Sequence, residues 1–246
     1  MNSVSIAPIG IISSPYKEKF AIPRQPGLVD AAKGVITLLG EYNNPHMVQG
    51  IEQYSHIWLL FHFHQTSAQG WKPLVRPPRL GGNQKLGVLA TRSTFRPNGI
   101  GMSVVKLDRI LVVNGAVEIH VSGIDLLDQT PIIDIKPYIP YSDAKVGAYG
   151  GMATDSPSLL NVVFNTNATK QLQRHSQHIP ALQVFLQQVL AQDPRPAYRK
   201  AQLDENSYAM HVYNLNVSWR MISLDQIEVT SIESRDIDTD YKADLN

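Results

Sequence analysis

Before residue 140 the chain shows almost no helical period, and this constrains its fold more than any other feature. Short runs of β-branched and aromatic residues recur instead, each soon closed by Gly, Asn or Pro. Val4 to Ser13 reads as a buried strand ending at Ser14-Pro15. Val35 to Leu39, Tyr54 to His64, Leu86 to Thr91, Ile100 to Ile110, Ala116 to Ser122 and Thr130 to Ile135 continue the series. Strands at such spacing predict a β-barrel or sandwich and disfavour a helix-alternating architecture. In the run from Tyr54, Ile57, Leu59, Phe61 and Phe63 alternate with equally bulky neighbours, as in a central strand.

The pattern changes after Ser142 to Pro157, a stretch of small residues that reads as a linker. Leu182, Phe185, Leu186, Val189 and Leu190 then form one apolar stripe at helical spacing, and Pro180 suits the first turn of a second helix in the segment from Thr169 to Gln192. Tyr213, Leu215, Val217 and Trp219 alternate as a strand, and Ile227 to Ile232 supplies another. The expected organisation is a mainly β protein, with a single-sheet barrel over residues 1–145, a small α+β domain over 158–232 and an acidic tail over 233–246. The chain has 246 residues, no cysteine and 43% hydrophobic against 17% charged residues, which is a globular composition that excludes disulfides, thiolate metal sites and a cysteine nucleophile. No signal-like or membrane-spanning run occurs, and the protein is expected in the cytoplasm without membrane contact.

Charge is distributed unevenly. Between Glu52 and Asp108 there is no acid, while Lys72, Arg76, Arg79, Lys85, Arg92, Arg96 and Lys106 lie inside, in a chain of net charge +1. Such a window suits a phosphate-rich partner or, more blandly, a solvated basic face. No P-loop, nucleophile elbow, HExxH or paired-carboxylate spacing appears. Asn98-Gly99-Ile100-Gly101 lacks the third glycine and following helix of a dinucleotide fingerprint. His56, His62 and His64 share strand parity, but six residues of extended chain put roughly 20 Å between the first two, so no metal site is expected.

The strings IGIISSPYKEKFAIPRQPGLV, YSHIWLLFHFHQT, GWKPLVRPPRLGG, GVLATRSTFRPNGIG, GIDLLDQTPIIDIKPYIPYSDA and QDPRPAYR, taken together and in order, closely resemble the TrmO-type (TsaA-like) family over nearly the whole chain. The resemblance implies a single-sheet β-barrel methyltransferase with a small C-terminal domain, acting as a homodimer. It would use S-adenosylmethionine to methylate N6 of threonylcarbamoyladenosine at position 37 of tRNA, in the anticodon stem-loop. It also implies a cofactor site made by Gln25, Pro26 and Gly27, by Phe63 and His64, by Arg92 and Met102, and by Ser122, Gly123, Ile124 and Asp125. Each has a plainer reading as turn glycine, core residue or cap. The chain departs from the family pattern at Gly99, where proline is usual, and at Gln129, where a turn glycine is usual. Glycine in place of proline is expected to leave the loop less rigid, by about 1 kcal/mol.

Methyl transfer from a sulfonium is an in-line displacement, needing position more than a protein nucleophile. Removal of the acceptor proton calls for a base or hydrogen-bond acceptor, for which Asp134 and His64 are candidates, with Tyr138 behind them; Lys136 would stabilise charge on the carbamoyl oxygen. Arg76, Arg79, Lys85 and Arg96 are candidate RNA contacts, joined by Arg195 and Tyr198 of the second domain. The rival expectation is a non-catalytic β-barrel RNA-binding or translation-associated module with a vestigial cofactor pocket.

Overall fold

The computed structural model describes residues 4–81, 83–196, 199–200 and 202–235. Strands β1 (Gly10–Ser13), β2 (Lys33–Leu38), β3 (His56–His62), β4 (Leu74–Val75), β5 (Leu86–Gly87), β6 (Ile100–Val113), β7 (Ala116–Ser122) and β8 (Thr130–Pro137) precede a single-turn helix α1 (Pro140–Asp143). Six of them close a barrel in the order β1-β2-β7-β6-β3-β8, while β4 and β5 form a separate two-stranded arm. Closure leaves the barrel no open edge. Every pairing in it is antiparallel, and the alternation visible in the sequence of β3 becomes the alternation of burial. Ile57 and Leu59 are wholly buried with Ile12, Ile36, Ile119 and Ile132, and Phe61 nearly so. Trp58 and Leu60 stand on the half-buried outer side, because β3 lies between β6 and β8.

Several boundaries differ from the sequence expectations. The first strand begins only at Gly10, with residues 4–8 exposed ahead of it. The run from Leu86 is a strand for two residues, after which Val88–Ala90 turns in 3-10 geometry. Gln129, which stands where the family pattern has a turn glycine, adopts the positive φ of +61° itself, its amide donating to the Ile12 carbonyl at 2.9 Å.

Beyond the linker come β9 (Asn161–Phe164), α2 (Thr166–His175), α3 (Leu182–Ala191), β10 (Ser207–Val212), β11 (Leu215–Ser223) and β12 (Gln226–Ser234). They form a sheet of order β10-β11-β12-β9, in which β9 lies parallel to β12. Asn165 caps α2 through the Ala168 amide at 2.8 Å. Pro180 falls outside α3, which Ala181 precedes in a left-handed conformation at φ +58°. The apolar stripe of α3 is buried as its spacing requires. The alternation expected as one strand through Tyr213 is interrupted there by a tight turn, with Tyr213 at φ +52°, so β10 and β11 are a hairpin. β12 runs through Glu233 and Ser234, paired with Asn216 and Leu215, so these two residues belong to the sheet and not to a tail. The rest of the expected tail, from 236 on, lies outside the described residues.

The two parts pack tightly. Tyr16 is wholly buried 5.8 Å from the Phe185 ring, and forms an isolated bridge with Val212. The Tyr213 amide donates to the Pro15 carbonyl at 2.7 Å, the His211 amide to Glu18 at 3.0 Å, and the Ala31 amide to Gln188 at 2.9 Å.

Candidate active site

One rim of the barrel gathers the end of β3, the start of β6, the loop after β1, the loop at 91–96 and the turn between β7 and β8. They enclose a cavity of about 480 Å³. Its inner wall is Phe61 and Phe63, packed edge to face at 5.3 Å. They fit there because position 101 has no side chain: a Cβ on Gly101 would stand 2.4 Å from the Phe61 ring and 2.8 Å from Phe63.

Asp125 is the only acidic side chain among the described residues lining the cavity. It accepts from the Ser103 hydroxyl at 2.6 Å. Burial pushes its carboxyl up to about 6, against which the Ser103 bond and the charge of Arg92 work. Four cationic side chains, Lys19, Arg24, Arg92 and Arg96, line the same space. Arg92 donates to the Gln25 side chain, and Arg96 to the Thr91 carbonyl at 3.1 Å, which holds the loop at 91–96 closed on itself. His64 lines the cavity too, and burial lowers its pKa, leaving the ring neutral near pH 7.

Of the residues the resemblance implied for the cofactor, the structure brings Gln25, Phe63, His64, Arg92, Met102 and Asp125 around one cavity. The others stand behind it. The Gly27 amide donates to the Gly123 carbonyl at 2.8 Å, with Pro26 beside it, clasping the two loops together. Both glycines have positive φ, +75° and +73°, which the clasp requires. Ser122 is buried and donates to Asp108 at 2.9 Å, and Ile124 is wholly buried. These five residues build the loops behind the cavity without lining it.

Asp134, Lys136 and Tyr138 lie elsewhere. Leu60 pairs with Met102 on one side and Asp134 on the other, which sets Asp134 two strands from Met102, roughly 10 Å away, and Asp134 does not line the cavity. There Asp134 is engaged by Lys136 at 2.9 Å, and Tyr138 packs on Trp58 at 5.8 Å. Arg76, Arg79 and Lys85 are exposed on the arm carried by β4 and β5, outside the cavity, whereas Arg96 lines it. Arg195 must be corrected as an RNA contact. Its side chain is wholly buried, donating twice to Asp193 at 2.9 and 3.0 Å and once to the Gln202 carbonyl at 3.0 Å, so it ties down the chain after α3 and is closed to a phosphate. Tyr198 lies outside the described residues. Among those residues, no group of three or more His, Asp or Glu side chains forms a metal site, and no helix is long and apolar enough to cross a membrane. Ser103, Arg24 and Lys19 were missed; each is a common residue whose place here is set by distant partners.

Models of two family domains match the chain, the tRNA-methyltransferase O N-terminal domain over residues 11–144 and the TrmO C-terminal domain over 157–235. The chain belongs to the TrmO family. A TrmO relative from Escherichia coli (strain K12), the tRNA (adenine(37)-N6)-methyltransferase, is 47% identical over 96% of this chain and 100% of its own length. A Pseudomonas aeruginosa protein described as the putative S-adenosylmethionine-dependent methyltransferase RcsF is 46% identical over 94% of this chain and 99% of its own. The crystal structure of TrmO from Pseudomonas aeruginosa superposes with a TM-score of 0.80 at 39% identity, covering 95% of this chain and 99% of that one. Barrel, C-terminal domain and their connection are therefore those of the TrmO fold.

Proposed function

We propose that this protein transfers a methyl group from S-adenosylmethionine to N6 of threonylcarbamoyladenosine at position 37 of tRNA. The observation that carries the reading is the rim cavity, which gathers one half-buried carboxyl, Asp125, four cationic side chains and an aromatic pair around a single space. The names of the relatives supply the reaction class and the position.

The residues present fit the cofactor. Phe63 and Met102 offer apolar surface to a purine, Asp125 offers an acceptor to ribose hydroxyls or an ammonium, and Arg92 with Gln25 offers donors to a carboxylate. When bound, S-adenosylmethionine supplies an activated methyl on a sulfonium. The chain's own task is to hold the acceptor nitrogen in line and to take its proton, whose acidity the carbamoyl group raises. Of the candidate bases, neutral His64 is the one lining the cavity, so its ring nitrogen receives that proton. Arg96 at the rim and Arg76, Arg79 and Lys85 on the arm meet the phosphates of the anticodon stem-loop. The same reading has the protein acting as a homodimer in the cytoplasm, the first of which light scattering tests.

The test is incubation with methyl-labelled S-adenosylmethionine and tRNA carrying threonylcarbamoyladenosine. Label recovered in N6-methylated threonylcarbamoyladenosine is the expected result. RNA binding without transfer would establish instead a barrel module with a vestigial pocket.

A further inference from the structure

A second cavity of about 320 Å³ opens where the barrel meets the C-terminal domain. Its walls are the segment from Lys19 to Arg24, Pro78 at the tip of the arm, and the chain from the end of α3 to Pro196. Lys19, Ile22, Pro23 and Arg24 line this groove and the rim cavity alike, so the two spaces are separated only by that segment. Its acid is already engaged, because Asp193 accepts from Nε and Nη2 along one edge of the buried Arg195 guanidinium and pairs with the Lys200 ammonium at 3.9 Å. Lys19 and Arg24 at the groove and Arg79 beside it form no ion pair among the described residues. The cations also crowd one another. Burial lowers the pKa of Arg24, with the charge of Asp193 working against it and that of Arg79 with it; burial lowers that of Lys200, again against Asp193 and with Arg24 and Arg195. Finally, Phe20 is 56% exposed on the groove wall, with the Lys19 ammonium 5.1 Å from its ring centre.

Arg79 donates one N–H to the Asp155 carbonyl and keeps its charge free of a carboxylate. Cations without ion pairs along a groove, beside an exposed aromatic face, are what a protein needs to follow a single RNA strand: charge for the phosphates and a platform for a base. We infer that the RNA strand leaving the rim cavity continues into this groove, where Phe20 stacks on a base neighbouring the target nucleotide while Lys19, Arg24 and Arg79 meet its phosphodiesters. The inference rests on RNA being the substrate of the rim cavity, and it gives the C-terminal domain its share of recognition through the groove wall rather than through Arg195.

Anisotropy of a labelled anticodon stem-loop carrying threonylcarbamoyladenosine, titrated with the full-length protein over a range of KCl concentrations, tests it. The double variant Lys19→Gln with Arg24→Gln is expected to bind about tenfold more weakly at 0.1 M salt, with a salt slope shallower by about 1.4. Phe20→Ala is expected to weaken binding about tenfold with the slope unchanged. Arg24→Lys should keep the wild-type slope, and Lys170→Gln, on the exposed side of α2, should change neither quantity. Lys19 and Phe20 are exposed, so their single substitutions leave the fold intact and remain readable if the double variant is unstable. Wild-type affinity and slope in the double variant, or equal losses in Lys170→Gln, would overturn the inference, as would wild-type protein that binds no RNA. RNA binding with these slopes but without methyl transfer would refute the proposed reaction and leave the groove standing.

Discussion

Asp125 is a carboxyl whose protonation sets two measurable quantities in opposite directions. Its folded pKa of about 6 lies above the ordinary 3.8, so its protonation favours the folded state fully below pH 3.8, and that contribution is lost as pH rises through about 6. Asp125→Asn should therefore raise the melting temperature at pH 7.5 more than at pH 4, by thermal scans without cofactor. If the carboxylate receives the ribose or ammonium, cofactor affinity measured by calorimetry should fall as pH drops below 6, and the Asn variant should lose that dependence. Gly101→Ala drives a Cβ into both rings of the aromatic wall; a loss of about 2 kcal/mol in urea unfolding, together with weaker cofactor binding, is expected. Gly99 reverses an expectation drawn from the sequence. It sits at φ +59° with its amide donating to Arg96, a conformation and a bond that proline cannot supply, so Gly99→Pro should destabilise the loop instead of stiffening it, which denaturant midpoints will register.

At the scale of elements, the segment after α3 is the one whose role the sequence concealed. A run of Asp, Pro and Arg has the same letters whether its arginine points at a phosphate or into its own chain. The burial of Arg195 against Asp193 decides the matter: Arg195→Ala should cost about 3 kcal/mol and lower the melting temperature, whereas a surface RNA contact would leave both unchanged. The barrel strands were legible because alternation in β3, β6, β7 and β8 matches their inward and outward faces. β9 was not, since a four-residue strand paired on one side only carries too short a pattern to register. The rim cavity was half legible, through the motifs that hold Phe63, Arg92 and Asp125. Its remaining wall joins residues near 20 to others near 65 and 127, and the second groove joins them to residues near 78 and 190, proximities that no local spacing announces.

For the whole molecule, barrel and C-terminal domain share buried side chains and backbone bonds at Tyr16, Glu18 and Ala31, so calorimetry should show one cooperative transition and not two. The closed barrel has a further consequence in the order of synthesis. Gly10 finds its partner Ile132 only when most of the barrel sequence has been made, and β9 then waits for β12, its one neighbour in the sheet and the last strand among the described residues. A nascent chain that has just left the ribosome through the linker thus owns a finished rim but an uncovered Tyr16. In that interval the half-made protein is sticky, and the helices and strands still to come act on it as an internal chaperone.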